Sequence, residues 1–258
     1  MKNRPLISVI TVCFNSEKHI KTCINSVNEQ SYKNIEHIIV DGGSKDQTMK
    51  ILKRYPNKNK KIYSYNKSGI YQAINYGIKK SNGDYITILN SDDFYASNKI
   101  LSKVMCLFRD NPSLDACYAD LTYTDKVDIT QTVRYWKSSD FILGSFSKGW
   151  CPPHPTFFVR QSIYKLFGNF NLNYSVASDV DLMMRFLEVN KIRVSYVPEV
   201  WVKMRSGGMS NKNLKSILDQ NLDILSALRD HNLSANPIIF FVYKIISRLK
   251  QFFQRPKG

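Results

Sequence analysis

Acidic residues stand where buried strands should hand the chain on to loops. Asp92-Asp93 follows the apolar run Tyr85–Leu89 by two residues, and Asp41 closes the run Ile35–Val40. In open α/β sheets, ligands bind outside the carboxyl ends of the strands. Ending two of three strands in carboxylates (the third ends at Asn15) is an odd way to receive an anion, unless a cation comes with it. A hard divalent ion held by one or two carboxylates plus substrate phosphates satisfies both charges. The plainer alternative is that Asp92 and Asp93 simply open a loop, where Asp is common. Asp41-Gly42-Gly43-Ser44 has neither the GxGxxG spacing nor the lysine of a P-loop. It is a flexible turn into a capped helix, or it points Asp41 into a nucleotide pocket to accept hydrogen bonds from a base. Histidines occur only at His19, His37, His154 and His231, too scattered for a His-based zinc site. His154, in Cys151-Pro152-Pro153-His154-Pro155, either shapes a pocket or packs. Gly207 and Gly208 would let a backbone approach a phosphate or sugar closely, or form a surface turn.

The elements that must position these residues alternate. Leu6–Phe14, Ile35–Val40 and Tyr85–Leu89 are strand-length, apolar and rich in β-branched residues, the pattern of buried parallel strands. Between them, Ile20, Cys23, Ile24 and Val27 recur at helical spacing after Ser16, a candidate N-cap. Ser44 with Gln47 reads as a capping box before Met49, Ile51 and Leu52. Ile70, Ala73, Ile74, Gly77 and Ile78 share one face of a helix over Gly69–Lys80. A further helix carries Ile100, Leu101, Val104, Leu107 and Phe108. This alternation predicts a doubly wound, mostly parallel α/β sheet. Beyond it, strands are expected at Leu114–Tyr118, Thr132–Trp136, Thr156–Arg160 and Ile192–Val197, with helices near Asp181–Asn190 and over Leu214–Leu228. In the last, Leu214, Ile217, Leu218, Leu222 and Leu225 form the apolar stripe.

The chain has 258 residues and a formal net charge of +16, enough length for a full core and enough basicity to need an anionic partner. Its five cysteines form no CxxC pair, which argues against a disulfide scaffold and for a reducing compartment. No run is long and apolar enough for a membrane span, and the polar N-terminus is unlike a signal peptide. A soluble, cytosolic protein is expected.

Four segments occur in a meaningful order: Ser8–Asn15 (SVITVCFN), Ile38–Thr48 (IIVDGGSKDQT), Gly69–Asn75 (GIYQAIN) and Leu89–Asp93 (LNSDD). Together they resemble the family 2 glycosyltransferases with the GT-A fold, over roughly residues 6–210, and are most similar to the colanic-acid and amylovoran-type exopolysaccharide branch. The resemblance implies a nucleotide-binding half over 1–110 and an acceptor half over 111–212, followed by a helical appendage over 213–258. It implies that Asp41 reads the nucleotide base, with uracil expected, and that Val12 and Phe14 line the base pocket, Phe14 by stacking. Asp92 and Asp93 match the DxD-type pair: Asp93 would bind Mn2+ or Mg2+, and Asp92 would lie near the ribose or the metal. Ser178-Asp179-Val180-Asp181-Leu182 with Arg185 resembles a later family segment. This puts Asp179 in the place of the catalytic base and Asp181, with His154, Gly207 and Gly208, around the acceptor or donor-sugar pocket. A helix N-cap is the alternative for Asp179. The sequence departs from the pattern at Ser178, where an acid is usual, at Asn66-Lys67-Ser68 and at Gln72.

Residues 45–80 hold ten Lys/Arg and one acid, and no acid follows Asp230. After Pro237, the residues Ile238, Phe241, Val242, Ile245, Leu249 and Phe252 share one helical face among Lys244, Arg248, Lys250, Arg255 and Lys257. Residues 237–257 therefore read as a basic amphipathic helix lying on a membrane surface, the alternative being a helix packed on the domain or on a second subunit of a homo-oligomer. The expected partners are a nucleotide-sugar donor, a lipid-linked saccharide acceptor and the inner-leaflet surface. A nucleotidyltransferase would need a Gly/Arg/Lys-rich loop where Phe14-Asn15-Ser16-Glu17 stands. A nucleic-acid binder would need basic residues, not acids, at the predicted cleft.

Overall fold

The computed structural model describes residues 4–55, 59–66, 69–207, 214–254 and 256, without the side chains of 214–216. Four parallel strands form its first half: β1 (Ile7–Cys13), β2 (Ile35–Asp41), β3 (Lys60–Ser64) and β4 (Tyr85–Ile88), in the order β3-β2-β1-β4. Every residue of β1, β2 and β4 is buried, as their β-branched runs require of strands covered on both faces. β1 alternates between two layers: Ile10 and Val12 enter the larger core cluster, while Ile7 and Val9 enter the second.

Crossover helices cover both faces: α1 (Ile20–Asn28), α2 (Thr48–Arg54), α3 (Ile70–Lys80) and α4 (Ile100–Asp110). α3 packs on β1 and β2. A Cβ on Gly77 would stand 2.6 Å from Cγ2 of Ile10 and 3.3 Å from Cγ2 of Val40. The helix thus lies closer to the sheet than any side chain at this position allows.

The second half continues the same sheet. β5 (Phe94–Tyr95) stands before α4, and β6 (Ala116–Thr124), β7 (Thr132–Trp136), β8 (Phe158–Arg160) and β9 (Val194–Arg205) follow that helix. β8 runs antiparallel between β4 and β6, β9 runs parallel to β6, and β5 and β7 pair antiparallel with β9 and β6. α5 (Gln161–Phe167) and α6 (Ser178–Met184) follow β8, and α6 runs on into a π-helical turn, Arg185–Val189. Two long helices end the chain: α7 (Leu214–Asp230) and α8 (Pro237–Phe253).

Several expectations change. Ser16 and Ser44 do not cap helices: α1 and α2 begin at Ile20 and Thr48, and the hydroxyl of Ser44 donates to Asp41 instead. β3, α5 and β5 have no counterpart in the apolar pattern. The strand expected over Ile192–Val197 runs on to Arg205. α7 buries Asn221, Ile224, Ala227 and Leu228, leaving Leu218 and Leu222 more than half exposed, so its inward stripe is not the leucine stripe. The two C-terminal helices are not a loose appendage, because Ile224, Ala227, Leu228 and Phe240 belong to the main core cluster. Asn236 caps α8, its Oδ1 accepting from the backbone of Ile238 at 2.9 Å and Ile239 at 3.2 Å, with Pro237 in the first turn.

Gly77→Ala is expected to destabilise the protein by about 1–3 kcal/mol, because the added methyl overlaps Ile10 and forces α3 from the sheet. A urea midpoint equal to the parent's would show that α3 does not pack this closely.

Candidate active site

The carboxyl ends of β1, β2 and β4 meet at one edge. Phe14, just past β1, is 61% exposed and offers an open ring face there. Val12 is buried in the core layer, so it backs this edge more than it lines a pocket. Asp41 is buried, and its oxygens are turned into its own loop. Oδ2 accepts from the amides of Gly43 and Ser44, both at 3.0 Å, and Oδ1 from Ser44 Oγ at 2.5 Å and the Cys13 thiol at 3.7 Å. A carboxylate has about four lone-pair positions. With all of them used internally, Asp41 holds the Gly42–Ser44 turn.

At the end of β4, Asp93 is 1% exposed. Its Oδ2 accepts from Asn90 Nδ2 at 2.9 Å, while its Oδ1 is buried with no hydrogen-bond partner. Burial and the adjacent Asp92 push this carboxyl well above the usual carboxylate range, against the pull of Asn90 and Arg205. Asp92 is half-buried. The orphaned oxygen, the neighbouring acid and the open edge fit a divalent cation. Among the described residues no group of three or more His, Cys, Asp or Glu could cage a metal, so phosphates would have to complete the coordination.

Arg205 was not anticipated as a site residue. β5 pairs Phe94 with Lys203, which brings the end of β9 alongside the acidic pair. The Arg205 guanidinium lies 5.4 Å from the Phe94 ring centroid, and Asp92 and Asp93 are its main charged neighbours. His19 faces Arg205 and Asp92 from the loop before α1, and burial lowers its pKa. Only the β5–β9 register reveals this approach, and a two-residue strand leaves no sequence pattern. A cleft of about 520 Å³ lined by Asn15, Glu17, Lys18, His19, Lys45 and Asp46 opens beside β1. A larger groove of about 820 Å³ between α3 and α5 contains none of these carboxylates, so its size does not mark the chemistry.

Asp179 comes from α6, beside Tyr71 of α3. It is the second residue of α6, and Ala177, not Asp179, occupies the N-cap position, so the capping alternative is not realised. Its Oδ1 accepts from the amide of Val180 at 2.9 Å and, at 3.4 Å, from the Tyr71 hydroxyl of α3. That hydroxyl also donates to Val176 O at 2.7 Å, and the Tyr71 ring stacks on Phe170. The first turn of a helix favours a carboxylate through the exposed amide dipoles. His154 meets the other side of Phe170 edge-on at 5.5 Å, and Asp179 is its charged neighbour. Burial lowers the His154 pKa and raises that of Cys151 to about 11, so both present neutral groups beside Asp179.

Asp181 is not brought to this cleft. It is fully buried, with Oδ1 2.8 Å from His231 Nε2 and Oδ2 3.5 Å from Arg185. It fastens α6 to the end of α7, as the two-residue offset from Asp179 along a helix would suggest. Gly207 follows β9 with φ +93°, and a Cβ there would strike the Lys126 side chain at 2.4 Å. Gly208 lies outside the described residues.

Residues 8–170 match the family model described as glycosyl transferase family 2, and the chain belongs to that family. An uncharacterized glycosyltransferase of Rickettsia typhi is 32% identical over 212 residues, covering 78% of this chain and 64% of its own. A PGL/p-HBAD biosynthesis glycosyltransferase of Mycobacterium bovis is 26% identical over 211 residues, 80% of each chain. The chain spans 64% and 40% of the first two curated relatives it matches. Among solved structures, S. aureus TarS 1-349 in complex with UDP superposes with a TM-score of 0.68 at 20% identity, over 93% of this chain and 70% of that one. A Pyrobaculum calidifontis mannosyltransferase in complex with GDP-Man and Mn2+ gives 0.67 at 16% identity, over 96% and 70%. The fold is GT-A.

Two outcomes are expected. A carboxyl whose folded pKa lies above its unfolded value stabilises the fold when protonated, and that contribution is lost as pH rises through the interval between the two. Asp93→Asn should therefore raise neutral-pH stability by about 0.5–2 kcal/mol, with the gain shrinking towards about pH 4. Mn2+ should raise the Tm of the parent and not of this variant. Thermal melts across pH check both, and a variant less stable than the parent at neutral pH would contradict the assignment. Asp181→Ala, by contrast, should cost about 3–5 kcal/mol by stranding His231 and Arg185. Unchanged stability with weakened substrate binding would instead return Asp181 to the pocket.

Proposed function

We propose that this chain is an inverting glycosyltransferase, moving a sugar from a nucleotide-sugar donor, with UDP the expected nucleotide, to a hydroxyl of a lipid-linked saccharide. The product would be a bacterial surface polysaccharide of the colanic-acid or amylovoran type. The observation that carries this reading is the buried, unpartnered oxygen of Asp93 beside Asp92, at the strand edge of a family 2 transferase.

Phe14 would stack on the base while the Asp41-anchored turn shapes the rim of its pocket. Asp92 and Asp93 would hold Mn2+ or Mg2+ against the donor diphosphate, and such an ion supplies neutralisation of the charge that develops on the leaving group. Arg205 adds a fixed positive charge beside the same pair. On the opposite side, Asp179 takes the proton from the acceptor hydroxyl as that oxygen attacks the anomeric carbon. The bond from that carbon to the donor phosphate oxygen breaks, and its electron pair leaves with the nucleoside diphosphate. One displacement inverts the anomeric centre without a covalent intermediate. Tyr71 orients Asp179, and the neutral His154 ring lies beside it.

α8 supports work at a membrane surface. Ile238, Val242, Ile245, Leu249 and Phe252 are each about half exposed or more, while its opposite side is seated on the domain. No helix among the described residues is long and apolar enough to cross a membrane. An in-plane seat would bring the cleft to lipid-linked acceptors, and each basic residue near anionic lipid would add about 1 kcal/mol.

Asp179→Asn is expected to lower sugar transfer by on the order of 10²–10⁴-fold, while stabilisation of the protein by UDP with Mn2+ stays at the parent's level. Near-normal turnover of the variant would remove Asp179 as the base. Stabilisation by non-nucleotide ligands alone would overturn the whole reading.

A further inference from the structure

Lys244 and Arg248 are the partly buried cations of α8. Lys244 is half-buried beneath the helix, and its Nζ donates to Asn221 Oδ1 of α7 at 2.8 Å. The ammonium lies 5.0 Å from the Phe240 ring centroid, and a Cβ on Gly149 would come within 2.8 Å of Lys244 Cγ. Glycine is thus what lets the lysine stem pass into the domain. Asp179, Cys151 and Arg248 are its charged or titratable neighbours.

Arg134 of β7 approaches from the sheet. Its guanidinium lies 3.9 Å over the Tyr123 ring and 5.8 Å from the Phe252 ring of α8, with Nε buried and without a hydrogen-bond partner. Arg248 is a charged neighbour of Lys244, Arg134 and Tyr123, and Tyr123 also neighbours Asp93. Lys244 and Arg248 stand one turn apart on α8, and the Arg134 guanidinium reaches the same helix at Phe252. Neither Lys244 nor Arg134 forms an ion pair among the described residues, and burial lowers the pKa of both. Desolvated cations without counter-charges are costly unless an anion completes them.

We propose that Lys244, Arg248 and Arg134 seat the phosphate or diphosphate ester that joins the acceptor saccharide to its lipid, between Asp179 and the exposed apolar face of α8. This rests on the glycosyltransferase reading and names the acceptor class within it. Two of the cations stand on the helix whose outer face exposes Ile238, Ile245, Leu249 and Phe253. A lipid tail leaving along that face would place its head group against these cations and its saccharide towards Asp179. The donor diphosphate is drawn instead to the carboxylate pair and its ion. Ester phosphates meet basic side chains through charge-assisted hydrogen bonds, which are stronger than neutral ones.

Titration calorimetry on the full chain tests this with geranyl diphosphate, geraniol and inorganic pyrophosphate in EDTA, and separately with UDP and Mn2+. Geranyl diphosphate should bind more tightly than either of the other two. Lys244→Met and Arg248→Gln should each weaken it about tenfold, leaving UDP unaffected. Arg248 is partly exposed, so its variant keeps the test open should Lys244→Met fail to fold by circular dichroism. Binding of geranyl diphosphate no tighter than geraniol, or insensitive to both substitutions, would overturn the site. Equal binding of pyrophosphate would mark a soluble-anion site and overturn the lipid assignment. Parallel loss of UDP would make it part of the donor site, again overturning it. Failure of the parent to bind UDP would strike the glycosyltransferase reading itself, a separate result.

Discussion

A carboxylate kept out of water beside a second carboxylate is a standing electrostatic cost, and the cleft is arranged around it. Asp93 has one oxygen bonded to Asn90 and one bonded to nothing, and Arg205 is the cation set against the pair. Folding free energy for a domain of this size is only a small difference between large terms. A destabilising pair therefore persists only where something else depends on it. A divalent ion and a diphosphate answer that description: the ion relieves the repulsion, and the phosphates fill coordination positions that the described residues do not supply. The same cost attaches to Lys244 and Arg134, buried cations that form no ion pair among the described residues. On the proposed reading, the acidic pair would serve the donor and its ion, and these cations the acceptor.

The sheet makes this division possible. β1, β2 and β4 end together because they are parallel and in register, which aligns Phe14, the Asp41 turn and Asp93 along one edge. The antiparallel β8 is followed by α5 and α6, and α6 carries Asp179. Two long-range contacts hold the halves in place: Tyr71 from α3 to Asp179, and the β5–β9 pairing that carries Arg205 to the acidic pair. α7 and α8 close the structure, with Asp181, His231 and Arg185 locking α6 to α7. Their burial in the main core seats α8 on the domain with an apolar outer face left exposed.

The legible parts of the chain are those where burial is uniform. β1, β2 and β4 are apolar throughout, so their runs stand out, and the carboxylates at their ends could be picked out as chemistry. β3 was silent because it is an edge strand starting Lys60-Lys61, with only partial burial. Asp41 shows a different limit: residue type and position suggested an outward acceptor, but lone-pair accounting depends on where the following amides point. Asp181 misled for the same reason, since a spacing of two along a helix sends its side chain away from that of Asp179. The leucines of α7 formed a convincing stripe, yet the domain took the neighbouring face with Ile224 and Leu228, leaving Leu218 and Leu222 outside. Arg205 depends on a two-residue strand pairing across more than a hundred residues, which no local pattern encodes. Of the apolar face assigned to α8, Ile238, Val242, Ile245, Leu249 and Phe252 are exposed, while Phe241 packs against the main core.

The central claim is that Asp93 is built around an ion shared with a nucleoside diphosphate. Anomalous scattering from crystals of the protein soaked in UDP and Mn2+ tests it most directly. A manganese peak about 2.1 Å from Asp93 Oδ1, bridging to the UDP phosphates, is the expected result. Bound UDP with no manganese at Asp93, or manganese coordinated elsewhere, would contradict it.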